Sequence, residues 1–190
     1  MKKILISFPR AGTHLAAKIL RVNLDHFETF NNITIKNIEE RVTGGFENSH
    51  KPYSEEFINL IKNSGIKTYI VLRDPRDIIV SHTYWHENKK RSFSNLKDNL
   101  DKIPFEKRMD YIIDALEEHF YLYDKYRTSN LCQLVYYSEL VKNKVSKKYT
   151  DWLRKGIVGS YKNEMTAKQI KKSTKKYEYL INNWKRNKNG

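Results

Sequence analysis

The chain holds one cysteine, Cys132, so no disulfide can form within it, and this usage suits a reducing cytoplasm. Cys132 lies in a strand-like run with no catalytic context, and reads as packing. Long apolar runs are also missing. Nothing approaches the roughly 18 residues that cross a bilayer, so no transmembrane segment is expected. The start, Met1-Lys2-Lys3-Ile4-Leu5-Ile6, imitates a signal peptide, but Pro9-Arg10 interrupts it before the apolar core of about 7–15 residues such a leader needs. It reads as a first strand. Acidic residues are in deficit: 22 Asp and Glu stand against 36 Lys and Arg, a formal net charge of +14. That balance attracts polyanions, whether nucleotide, nucleic acid, anionic glycan or membrane surface. It equally suits a solvated, lysine-rich face, so charge alone selects no partner. With 39% hydrophobic and 31% charged residues, the 190-residue chain reads as globular, with one domain over 1–190 large enough to bury a core.

The order of elements is informative. Ile4 to Phe8 is a short apolar run of the kind found in buried parallel strands. A turn with Pro9 and Gly12 follows, then an amphipathic helix from about Thr13 to Leu24, with Leu15, Ala16, Ile19 and Leu20 on one face. Residues 25–50 are polar and mixed, with a turn at Gly44-Gly45. Tyr53 to Lys62 reads as a helix and Ile66 to Leu72 as the strongest strand. Asp74-Pro75 starts another helix, with Asp as N-cap, Pro at the first position and Asp77 at the third, running to about Glu87. Lys89 to Lys102 reads as a charged loop, Met109 to Tyr126 as a helix, Leu131 to Tyr136 as a strand, and Ala167 to Asn187 as a basic terminal helix. Helices alternating with strands predict an α/β three-layer sandwich with a central parallel sheet.

Three segments carry candidate chemistry. In Ser7-Phe8-Pro9-Arg10-Ala11-Gly12-Thr13-His14, a loop between a buried strand and a helix start offers backbone N–H groups, a guanidinium and side-chain donors, the materials of a phosphate cradle. It lacks the Gly-Lys-[Ser/Thr] ending of an ATP-binding loop, and a plain packing turn could carry the same Pro and Gly. In Tyr69-Ile70-Val71-Leu72-Arg73-Asp74-Pro75-Arg76-Asp77, Arg73 leaves a strand end while Ser81 sits two turns into the next helix. The two could close on one phosphate at the carboxyl edge of a sheet, or serve as a salt-bridge arginine and a small packing residue. In Trp152-Leu153-Arg154-Lys155-Gly156-Ile157, an Arg-Lys pair before glycine could clamp a second phosphate, or simply face solvent.

In this order the segments resemble the PAPS-dependent sulfotransferases, which move the sulfuryl group of 3'-phosphoadenosine-5'-phosphosulfate (PAPS) to a hydroxyl or amine. The likeness touches residues 4 to about 166, includes the Arg73-to-Ser81 spacing, and extends to Tyr136-Tyr137-Ser138-Glu139-Leu140, which looks like the family's strand-end tyrosine segment. It implies a P-loop-like nucleotide-binding fold and no metal ion. By it, Arg10, Ala11, Gly12, Thr13 and His14 hold the 5'-phosphosulfate, and Arg73, Ser81 and Tyr137 contact the nucleotide around its 3'-phosphate. Arg154, Lys155 and Gly156 close over that phosphate. His50, in Asn48-Ser49-His50-Lys51-Pro52 and 23 positions before Arg73, stands where the family keeps its general base. An imidazole with an ordinary pKa of about 6.5 suits that task at neutral pH. Turnover is then expected to rise with pH through that titration. Arg10 would stabilise the departing bridging oxygen as adenosine 3',5'-bisphosphate leaves. His82 and His86, at i, i+4 but without the glutamate of a zinc motif, read as surface histidines.

The chain departs from the family in places. Ala11 replaces a common serine, and Asn48 stands where cytosolic members often carry a second lysine. Only Lys162 and Thr166 of the dimerisation pattern fit, while Ala167 and Lys171 do not, so a family-type homodimer is doubtful. Between Leu140 and Trp152 there are 11 residues where typical members hold several helices. The expected acceptor is a small molecule or glycan. No nucleic-acid module is present, so no nucleic acid is expected as partner. Two other classes stay open: a kinase-like enzyme using ATP and magnesium, and a catalytically weak nucleotide-binding relative.

Overall fold

In the computed structural model, residues 3–20, 47–50, 52–89, 94–142 and 156–185 are described. The turn at Gly44-Gly45 and most of the short span 141–151, with Trp152, Arg154 and Lys155, lie outside them. β1 (Lys3–Ser7), β2 (Glu47–Ser49), β3 (Lys67–Leu72) and β4 (Cys132–Tyr136) form a four-stranded parallel sheet in the order β2-β1-β3-β4. The central pair explains its own position: Ile4, Leu5 and Ile6 of β1, and Ile70, Val71 and Leu72 of β3, are buried. Strands covered on both faces by helices read as unbroken apolar runs.

The sheet is flanked by α1 (Thr13–Ile19), α2 (Glu55–Ser64), α3 (Pro75–Lys89), α4 (Ser94–Lys102), α5 (Phe105–Ala115), α6 (Glu117–Thr128), α7 (Tyr137–Lys142), α8 (Tyr161–Glu164), α9 (Ala167–Lys176) and α10 (Glu178–Asn183). This is the α/β parallel arrangement expected from the alternation of elements. Local signals set several ends. Ser54 caps α2 by accepting from Phe57 N at 3.3 Å, and Gly65 closes it at φ 63°. Asp74 Oδ1 accepts from Arg76 N at 3.0 Å to start α3. Thr166 and Gln169 form a reciprocal capping box on α9.

Four expectations need correction. The charged stretch 89–102 is not all loop: α4 forms within it because Leu96 and Leu100, four apart, share a buried face that its charge count conceals. The helix expected over 109–126 breaks at Leu116 into α5 and α6, and the terminal helix breaks at Tyr177 into α9 and α10. Each break is one buried residue deep, and backbone hydrogen bonds continue across it. Periodicity survives such a kink, so it is invisible in the pattern. Finally, His82 and His86 are wholly buried in α3. They sit on its inward side, where His82 packs edge-on to Trp85 at 5.5 Å and His86 Nε2 lies 3.2 Å from Asp101 of α4.

Candidate functional site

Register gathers the candidate residues at one edge. Ser7 of β1 pairs with Val71 and Ser49 with Ile6, while Leu72 pairs with Tyr136. The chain therefore leaves four parallel strands side by side, delivering the 8–13 loop, His50, Arg73 and Tyr137 to the carboxyl edge, where open α/β sheets bind ligands.

The first loop is tightly made. Ala11 N donates to Phe8 O at 3.0 Å, closing a turn with Pro9 second and Arg10 third. Arg10 has φ 72° and Gly12 φ 110°. Pro followed by a left-handed residue is the pattern of a type II turn, whose third position favours glycine. An arginine there costs about 1 kcal/mol or more. Three contacts hold it. Arg73 Nη1 donates to Arg10 O at 2.8 Å, Arg10 Nε donates to Ser81 Oγ at 3.3 Å, and the Arg10 guanidinium lies 5.4 Å from the Trp85 ring centre. Arg10, Arg73 and Ser81 are thus brought together, around the backbone and side chain of Arg10.

Arg73 is buried, its guanidinium 4.2 Å from the Tyr137 ring centre. The same ring lies against Gly12, where an added Cβ would come within 2.5 Å of it. Tyr137 is therefore a buried wedge between Gly12 and Arg73. Among the described residues Arg73 Nε has no hydrogen-bond partner. An unsatisfied donor in a buried guanidinium beside a cationic loop fits an anionic ligand, and the set Arg10, Arg73, Ser81 and Thr13 suits phosphate oxygens. Thr13 Oγ1 and Ser7 Oγ share a hydrogen bond at 2.5 Å, fixing the first turn of α1 to the end of β1. Ala11 is fully buried and can contribute only backbone.

His50 stands beside this loop. Its Nδ1 lies 2.6 Å from the Ser7 carbonyl oxygen, which can only accept, so Nδ1 carries the proton and Nε2 is the basic nitrogen. Burial lowers its pKa to about 4, with the cations and imidazole of Arg10 and His14 adding to the effect and the Ser7 bond opposing it. His14, on α1, is lowered by burial and then by Arg10. His82 is lowered to about 3 by burial, then by Arg10, His86 and His119. Arg10 thus disfavours the charged form of all three imidazoles.

Gly156 has φ 63° and begins the described part of the third segment. The chain just beyond it is anchored: Asp77 of α3 accepts from Gly159 N at 2.8 Å, Tyr161 N at 3.1 Å and Ser160 Oγ at 3.3 Å. Sequence reasoning placed Asp77 only as a first-turn acid. Its spacing from Ser81, one turn on, carries no sign of a partner more than 80 residues away.

A parallel α/β architecture with a cationic, strained cradle at its carboxyl edge is the class of protein this defines. Its fold is that of the sulfotransferases: the chain superposes on mouse sulfotransferase SULT7A1, solved in complex with PAP, with a TM-score of 0.64 over 95% of this chain and 84% of that one. Sequence identity is 16%. No family profile matches the chain, and no curated protein matches it. Among the described residues no helix is long and apolar enough to cross a membrane.

Proposed function

We propose that the protein is a PAPS-dependent sulfotransferase acting on a hydroxyl or amine of a small molecule or glycan in the cytoplasm. The observation that carries this reading is Arg10, held left-handed by Arg73 and Ser81, with His50 at the adjoining strand end. A strained cation beside an oriented base is an arrangement that packing alone does not require. In this reading Arg10 and the backbone from Ala11 to His14 receive the phosphosulfate group. Arg73 and Ser81 receive the 3'-phosphate, Tyr137 supports both, and by the resemblance to the family Arg154, Lys155 and Gly156 bind that same phosphate. His50 Nε2 takes the acceptor proton as the new oxygen–sulfur (or nitrogen–sulfur) bond forms. The old sulfur–oxygen bond breaks, and Arg10 stabilises charge on the departing oxygen.

Thermal melting with adenosine 3',5'-bisphosphate, 5'-AMP and ATP with magnesium tests the ligand. The bisphosphate should stabilise without added metal, and 5'-AMP far less. Greater stabilisation by ATP with magnesium would instead favour the kinase reading.

A further inference from the structure

His50 emerges from β2, a strand of three residues that, among the described residues, lies at the sheet edge and pairs with β1 alone. So short an edge fixes the backbone weakly, yet a base must be held to within tenths of an ångström of its acceptor. The missing support comes from α6. Tyr123 Oη donates to the carbonyl oxygen of His50. Tyr126, one turn further along the same helix, donates to the carbonyl oxygen of Pro52 at 3.1 Å. Two hydroxyls three residues apart on one helix face therefore grip carbonyls two residues apart on one extended segment.

The clamp is itself rigid. Both tyrosines are buried. Tyr123 meets Phe8 edge-on at 5.1 Å, and Tyr126 meets Tyr53 at 5.3 Å and Phe57 at 6.3 Å. Phe8 is the first residue of the cradle loop, so one side chain touches both halves of the site: its ring packs on the loop bearing Arg10, and its hydroxyl holds the segment bearing His50. Burial raises the pKa of both phenols, so both stay protonated, and therefore donors, at neutral pH.

We propose that Tyr123 is a positioning residue for His50, setting the imidazole against the Ser7 carbonyl and thereby choosing Nε2 as the basic nitrogen. The inference rests on the reading of His50 as general base, but its test does not depend on it. Tyr123→Phe removes the hydroxyl and keeps the ring. Nitrogen-15 spectra of the imidazole should show the Nδ1–H tautomer in the wild type. In Tyr123→Phe they should show a mixture, with the His50 pKa raised from about 4 toward its ordinary value as water enters. Turnover with saturating acceptor should fall roughly ten- to a hundred-fold, while affinity for adenosine 3',5'-bisphosphate stays within a few-fold. Tyr126→Phe, which grips two residues further on, should give the same changes in weaker form. A wild-type Nε2–H tautomer overturns the proposal without any variant, as does Tyr123→Phe with tautomer and pKa unchanged. If Tyr123→Phe shifts both but His50→Ala keeps full turnover, the positioning stands and the role of His50 as base falls.

Discussion

The Arg73 guanidinium donates to the carbonyl oxygen of Arg10 at 2.8 Å, so one cation of the site fixes the backbone of the other. Arg73 leaves β3 at the sheet edge and braces the strained turn from beneath, its Nε still without a partner among the described residues. The sequence offered Arg73 to a phosphate or to a salt bridge; the bond to Arg10 gives it a task in shaping the loop.

Arg73→Ala should therefore lose more than ligand contact. A hydrogen bond from a charged donor is worth about 1.5–3 kcal/mol, which for a chain of this size is a fall in melting temperature of very roughly 3–10 °C. Bisphosphate affinity and discrimination against plain 5'-nucleotides should fall with it. Melting curves and titration calorimetry on the same samples check both. A variant that keeps its stability and its discrimination would remove Arg73 from the site.

Arg10 separates strain from binding. At φ 72° glycine is at ease and alanine is not. Arg10→Gly should be more stable than Arg10→Ala by about 1 kcal/mol, and both should lose bisphosphate binding. Equal stability of the two would mean that the turn relaxes when the arginine goes.

Gly12→Ala should disrupt the wedge, since its methyl meets the Tyr137 ring at a backbone φ of 110°. The cost should shrink when Tyr137 is replaced by a smaller apolar residue, because the two sites share one contact. Additive losses in a double-mutant cycle by chemical denaturation would contradict this packing.

Much of this was legible beforehand. The central strands were readable because a parallel sheet buries both faces of Ile4–Ile6 and Ile70–Leu72. Arg10 and Arg73 could be nominated because strand ends and helix starts mark the sheet edge, whereas His50 came only from the resemblance to the sulfotransferases, since 25–50 gave no strand signal. What could not be read was long-range pairing. Nothing near Tyr123 announces a bond to His50, 73 residues away, and nothing at Asp77 announces Gly159. Nor does spacing reveal burial: His82 and His86 are i, i+4 on any helix, and only tertiary packing makes them interior.

Stability should depend on acid in a defined window. His50 and His82 have folded pKa values of about 4 and about 3, below the ordinary 6.5 they regain on unfolding. Between those limits the unfolded chain binds more protons, so stability is full above about pH 6.5 and is lost as pH falls toward 3–4. Denaturant midpoints from pH 7 to 4 should decline, and His82→Gln should flatten part of the decline. A midpoint independent of pH would show that these imidazoles are not held neutral by the fold.

In the proposed reaction the same shift moves the pH dependence of turnover. From an ordinary histidine, turnover is expected to rise through about pH 6.5; with His50 lowered to about 4, the free protein should already hold a neutral base at pH 6. One cause of that lowering is Arg10, which repels a proton from the imidazole. An anion seated on Arg10 cancels this repulsion, so the bisphosphate should raise the His50 pKa toward its ordinary value and draw in a fraction of a proton near pH 5. Calorimetry at that pH in buffers of different ionisation enthalpy reads the net proton exchange, and the difference between the wild type and His50→Gln isolates the imidazole from the ligand's own phosphates. Uptake should vanish at pH 8, where no imidazole titrates in either state, and shrink in His50→Gln, with His14, His82 and the ligand's phosphates supplying the remainder. The profile of kcat/KM, set by the free protein, should then be flat above about pH 5.5, while kcat, set by the loaded complex, should bend at a higher pH. The same buffer dependence at pH 5 in the wild type and in His50→Gln would mean that the anion does not relieve the repulsion of His50 by Arg10.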